Sequence, residues 1–294
     1  MVERTVAKVS AARTRWLYAV LVAWLCGCGS DPVVGPGTGG GIYLSHTPAG
    51  TVDTMVTVPA GSFLMGNNRG FAPEAPAHTV QLDAFYIDKY EVTNGRYRAF
   101  VEHTGHRQPT EADNPFFSGE QHPAIGVSWN DARAYCRWRG GALPSEAQWE
   151  KAARGTDGRT YPWGNAAANG DRAVMDLGGP CGRSSWEAPP TGPVPGEFCS
   201  TMPVGSKPRG GSPYGLMDMA GNVWEWCEDW YDDTYYRRNP TQNPRGPGEG
   251  EFRVVRGSSW HHLPHYLETS ARFRFAPDNR STYVGFRCVQ EIHK

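Results

Sequence analysis

Three histidines, His261, His262 and His265, fall within five residues of one another in Trp260-His261-His262-Leu263-Pro264-His265-Tyr266. Imidazole transfers protons near neutral pH and binds zinc, copper or iron, so the cluster invites a metal reading. The spacing matches no defined ligand set. No His-Glu-x-x-His arrangement is present, and Pro264 constrains the turn without aiming the rings. The better reading is of polar residues that face solvent or touch a ligand, with His262 kept as the one catalytic candidate.

A second grouping offers harder donors. Asp218 and Glu225 stand seven residues apart in Gly215-Leu216-Met217-Asp218-Met219-Ala220-Gly221-Asn222-Val223-Trp224-Glu225-Trp226. Calcium takes about six to eight oxygen ligands, from carboxylates and from the backbone carbonyls of flexible loops. The two acids, with the carbonyls of Gly221 and Val223, have the donor types to wrap one such ion. The competing reading is that the acids hydrogen-bond within a tight turn.

Such loops need elements to hold them. The 294 residues include 36 Gly, 24 Pro and 11 Trp, which describes a loop-rich, aromatic chain rather than a helical one. A net charge of −1 gives no electrostatic reason to expect nucleic acid or an anionic membrane surface as a partner. Met55 to Gly66 reads as strand, turn and short strand, and Val80 to Ile87 alternates as one half-buried strand. A helix is predicted from Thr93 to about Val101, with Tyr97, Phe100 and Val101 on one face. Ser128, with an acid at Asp131, opens a second helix. Ser145, with Gln148, opens a third that ends near Arg154. Beyond Gly155 the chain reads as turns, short strands and long loops. Disulfides or metal ions usually fix loops of that kind.

At the N-terminus, Arg4, Lys8, Arg13 and Arg15 precede an apolar run from Trp16 to Leu25, which is too short to span a bilayer stably. With Leu25-Cys26-Gly27-Cys28 it resembles a bacterial lipoprotein signal, which implies lipidation at Cys28, export, and anchoring to a membrane of the cell envelope. The alternative is a cleaved secretory peptide. Residues 1–28 are thus expected to be signal, 29–51 a flexible Gly/Pro-rich tether, and 52–292 a single domain. In an exported domain cysteines pair, and a bridge between Cys181 and Cys199 would restrain a Pro- and Gly-rich loop. Cys227 is left over and reads as a buried apolar residue.

Several ordered motifs carry a more specific signal. Val127-Ser128-Trp129-Asn130-Asp131-Ala132, Leu143-Pro144-Ser145-Glu146-Ala147-Gln148-Trp149-Glu150, Tyr161-Pro162-Trp163-Gly164-Asn165, Arg253-Val254-Val255-Arg256-Gly257-Ser258-Ser259-Trp260 and Gly285-Phe286-Arg287-Cys288-Val289 resemble the formylglycine-generating enzyme, or sulfatase-modifying factor, family. The resemblance runs from about Met55 to Val289. It implies an α+β class, a single irregular domain related to the C-type lectin fold. It also implies a disulfide between Cys136 and Cys288, and a structural calcium at Asp218, Gly221, Val223 and Glu225, where the family usually has Asn at the first position. The asparagine of the family's second calcium site appears as Val174, which has no side-chain oxygen, and that site is not assigned.

In the family's enzymes two cysteines hold copper and oxidise a substrate cysteine. The matching positions here are His262 and Leu267. Leucine has no donor atom and imidazole is harder than thiolate, so neither copper nor iron is expected. Trp224 and Ser259 match positions that line the pocket beside those cysteines. With Trp260, His261, His262, His265 and Tyr266 they are expected to wall a ligand cleft; the competing reading is that both tryptophans are core, and for Trp224, which alternates with Trp226, that reading has equal weight. The reading is a lipid-anchored, non-catalytic module that binds a peptide, glycan or protein. Two alternatives stand beside it: a metal-dependent oxidoreductase using the histidines, and a structural component of an envelope complex.

Overall fold

The computed structural model describes residues 41–177 and 200–292. The signal, Cys28, Cys181 and Cys199 lie outside the described residues. Among the described residues no helix is long and apolar enough to cross a membrane.

Ten strands and three helices follow in the order β1 (Ile42–His46), β2 (Val52–Val58), β3 (Gly61–Met65), β4 (His78–Leu82), β5 (Phe85–Asp88), α1 (Asn94–Thr104), α2 (Trp129–Trp138), α3 (Glu146–Arg154), β6 (Trp224–Trp230), β7 (Arg253–Arg256), β8 (Arg272–Phe275), β9 (Val284–Gly285) and β10 (Val289–Glu291). One antiparallel sheet has the order β1-β2-β5-β10, β3 and β4 form a hairpin, and a third sheet runs β8-β7-β6-β9. The architecture is α+β, with irregular stretches from Arg154 to Leu177 and between Trp230 and Arg253.

Two boundaries differ from expectation. β1 lies inside the segment expected to be tether and pairs along its whole length with β2, from Ile42 opposite Val56 to His46 opposite Val52. Its alternating residues continue the sheet, a pattern hidden behind the glycine run that precedes it. The single strand expected over Val80 to Ile87 is two strands in different sheets, because Asp83-Ala84 breaks the run. β4 returns to β3 while β5 joins β2 and β10.

The helix starts follow their local chemistry. Thr93 caps α1, and full capping boxes close at Ser128 with Asp131 and at Ser145 with Gln148. The last strands fasten the whole. β9 pairs in parallel with the start of β6, Cys288 is bonded to Cys136 of α2 with Cα atoms 5.5 Å apart, and β10 completes the first sheet. Cys227 is a free, buried thiol. Within a core shared by α3 and the hairpin, fully buried Arg256 pairs with Glu150 and donates to the carbonyls of Thr269 and Ser270 at 2.9 and 2.7 Å. This pins the far end of the loop that carries the histidines.

Candidate functional site

The segment from Asp218 to Val223 turns sharply. Asp218, Gly221 and Asn222 all have left-handed backbones, at φ 56°, 83° and 62°. Gly221 is required at its place, since a Cβ there would stand 2.3 Å from the Val174 carbonyl oxygen. The turn delivers Glu225 to the first rung of β6. Arg287 there grips it with two parallel bonds, Nε to Oε2 at 2.6 Å and Nη2 to Oε1 at 2.7 Å, and the Trp149 indole adds a third at 2.9 Å. Asp218 accepts from the Gly205 amide at 2.6 Å.

A third acid joins them that the sequence reading did not single out. Glu91, 2% exposed, accepts from the Asn222 amide at 2.6 Å and the Val223 N–H at 3.2 Å. Burial first, then the charges of Asp218 and Glu225, push its carboxyl well above the ordinary range. Burial likewise lifts Asp218 to about 6, partly opposed by the Gly205 amide and Arg287. Three buried carboxyls therefore face one guanidinium. Only a residue 127 positions upstream of Asp218 makes the third, so no local signal in the chain announces it.

Calcium fits the donor chemistry, which is all hard oxygen around surplus negative charge. Among the described residues no three acidic, His or Cys side chains converge closely enough to hold a metal alone. An ion held by Asp218 and Glu225 would therefore depend on the carbonyls of Gly221 and Val223. Copper is different. Cys227 is the free cysteine of the described residues, and burial raises its thiol well above the usual range, away from thiolate.

The histidine loop lies directly against the acidic turn. Gly221 N–H donates to Gly257 O at 2.8 Å, and Trp260 N–H donates to Asn222 O at 2.9 Å. Ser259 Oγ and His262 Nδ1 are 2.7 Å apart. Around His262 stand the rings of Trp224 at 5.5 Å, Tyr266 at 5.5 Å and Tyr283 at 6.1 Å. Burial, with smaller contributions from His261 and His265, lowers its pKa to about 4, so His262 is neutral at pH 7.

The three histidines do not share a centre. The rings of His261 and His262 are 5.9 Å apart at 83°, while exposed His265 turns onto Tyr266 at 4.1 Å. Leu267 is fully buried against Ala173 and Ala220, with Tyr161 and Trp163 beside it. The expected cleft walls need correction as well. Trp224, Ser259 and Trp260 are 1%, 0% and 4% exposed, and both tryptophans belong to core clusters. Core packing claims the two rings, with Trp224 lying against Phe273 and Trp260 against Phe117. Trp224 Nε1 and His261 Nδ1 are nonetheless buried without a hydrogen-bond partner.

A compact α+β domain, with a buried acidic turn braced by a C-terminal arginine beneath an aromatic-walled loop, is the class of protein these features define. Residues 43–292 match the model of the sulfatase-modifying factor enzyme 1-like domain, and the chain belongs to that family. It is 37% identical to a formylglycine-generating enzyme of Streptomyces coelicolor, covering 81% of this chain and 89% of the relative. It is 33% identical to the serine/threonine-protein kinase pkn1 of Chlamydia caviae, of which it spans 38%. Among solved structures, PvdO from Pseudomonas aeruginosa superposes with a TM-score of 0.70 at 26% identity, covering 90% of this chain and all of that one.

Proposed function

We propose that this protein is a non-catalytic member of the family, a calcium-braced recognition module held at the bacterial cell envelope by a lipid on Cys28. The observation that carries the loss of catalysis is the pair of residues at the two cysteine positions. His262 is tied to Ser259 at 2.7 Å and neutral, and Leu267 is sealed in an apolar cluster. Two-thiolate ligation of Cu(I) needs soft donors at both positions, and this pair has none.

Recognition is supported by the unmet polar groups beside His262. A buried donor or acceptor without a partner costs about 1–3 kcal/mol, and a ligand that reached Trp224 Nε1 or His261 Nδ1 would relieve it. Calcium under the same loop is supported by the excess of carboxyls over guanidinium, and the bonds from Gly221 and Trp260 would pass its order to the cleft. The kinase relatives support the module reading, because there a domain of this type forms part of a larger protein with another name.

Copper-loaded protein should convert no cysteine to formylglycine in a sulfatase-type peptide beyond the rate of free copper, read by mass spectrometry of the peptide. Conversion well above that rate, abolished in His262→Ala, would overturn the non-catalytic reading.

A further inference from the structure

Among the described residues, strand β1 stands at the edge of the first sheet and pairs with β2 alone. Its side chains alternate between faces, and Ile42 and Leu44 are 58% and 52% exposed. Across the ladder they stand opposite Val56 and Thr54. Val52, opposite His46, adds a third apolar side chain to that face and is 41% exposed. Farther along the same face Val56, Val58 and Ile87 are buried in the core. The apolar face therefore continues past the point where the core covers it. β1 also lacks the usual protection of an open edge, since Ile42-Tyr43-Leu44-Ser45-His46 has no Lys, Asp, Glu or Pro. An uncharged edge with apolar side chains invites association unless something covers it.

We propose that this face, formed by Ile42, Leu44 and Val52, docks on the lipid surface to which Cys28 anchors the chain. The inference rests on the lipid-anchored reading and adds a second contact to it. Cys28 stands 14 positions before Ile42. That length of chain spans at most about 50 Å, so the start of β1 stays within that distance of the membrane. Tethering makes docking intramolecular, at an effective concentration on the order of millimolar, and three half-exposed side chains then suffice. A second copy of the chain is a poorer occupant. The five residues of β1 run about 17 Å, and pairing two such strands buries far less than the roughly 1,200–2,000 Å² of a stable interface. The chain from Gly41 to Val52 has no acidic residue, and Asp53 is buried with its Oδ2 accepting from Arg139 Nη1 at 2.6 Å. An anionic lipid surface thus meets no open carboxylate on these strands. Apolar side chains enter the acyl boundary there, while the free N–H and C=O groups of the edge bond headgroups and water.

Photo-crosslinking of the full chain, isolated from membranes and reconstituted in vesicles of phosphatidylcholine and phosphatidylglycerol, tests the docking face. The photoreactive residue p-benzoylphenylalanine is placed at Leu44, at Ile42 or, as a control, at exposed Arg237. Mass spectrometry then identifies what each position captures. Lipid adducts are expected at Leu44 and Ile42, at a yield about fivefold or more above that at Arg237. Adding Ile42→Asp should lower the Leu44 adduct about threefold or more, because a charge at the acyl boundary opposes docking. Ile42 is exposed at an edge, so its replacement leaves the core intact, and an unchanged melting temperature verifies this. Lipid capture at Leu44 and Ile42 no greater than at Arg237 overturns the proposal. A covalent dimer through Leu44 overturns it in favour of a second copy, and an adduct with residues 29–40 in favour of the chain's own preceding segment. The same spectra weigh Cys28. An acylated chain without lipid adducts removes the docking face and leaves the anchor standing, whereas a chain with no acyl mass on Cys28 removes both.

Discussion

The acidic turn and the histidine loop touch through two backbone bonds, yet burial treats them in opposite ways. Both are dry enough to disfavour charge. In the acidic turn that pressure lifts carboxyls, Asp218 to about 6 and Glu91 well above the ordinary carboxylate range, while Arg287 holds Glu225 with two bonds. In the histidine loop the same pressure drops His262 to about 4 among aromatic rings. One region has more charge than its protein partners answer and would gain from a cation. The other has already shed its charge and would gain from a neutral ligand. Adjacent residues can thus serve stability and recognition separately, according to whether oxygen or aromatic groups surround them.

The largest effect should come from breaking the brace. Arg287→Met leaves Glu225 buried without its partner and should cost about 3–5 kcal/mol in urea unfolding. A loss below about 1 kcal/mol would mean that the pair does not organise the turn.

Calcium should act next. At a hundred times its dissociation constant it should stabilise the protein by about 2.7 kcal/mol, seen as a melting temperature that chelator lowers. Asp218→Ala and Glu225→Ala should abolish that response. Glu91→Gln should weaken it while stabilising the metal-free protein, because it removes one of three crowded acids. An unchanged chelator response in all three variants would place the ion elsewhere or nowhere.

The smallest effect is also the clearest contrast, since the two regions predict opposite pH slopes. Asp218 has a folded pKa raised above its unfolded value near 3.8, so in metal-free protein its stabilising contribution is present below that value and lost as pH rises through about 6. His262 has a folded pKa depressed below its unfolded value near 6.5, so its contribution is present above that value and lost as pH falls toward about 4. The melting-temperature advantage of wild type over His262→Phe should therefore shrink between pH 6.5 and pH 4, by an amount worth about 2.5 kcal/mol. A constant advantage would show that His262 is not desolvated in the native state.

Local chemistry in the chain was enough to place the helices, because Thr93, Ser128 and Ser145 are caps whose partners lie within three residues. The family motifs carried the disulfide of Cys136 with Cys288 and the positions of Asp218 and Glu225, since each stands in a short, recognisable run of residues. The same runs made His262 and Leu267 the expected counterparts of the family's cysteine pair. What the chain alone did not disclose depends on distant segments meeting. Glu91 and Arg287 reach the acidic turn from opposite ends of the domain, and β1 becomes a strand only because β2 offers it an edge. Trp224 and Trp260 looked like cleft walls in one dimension and became core once Phe273 packed against the first and Phe117 against the second. Short-range bonding is written in neighbouring residues. Burial and the pKa shifts it causes belong to the packed structure, because they depend on which remote groups exclude water from the same place.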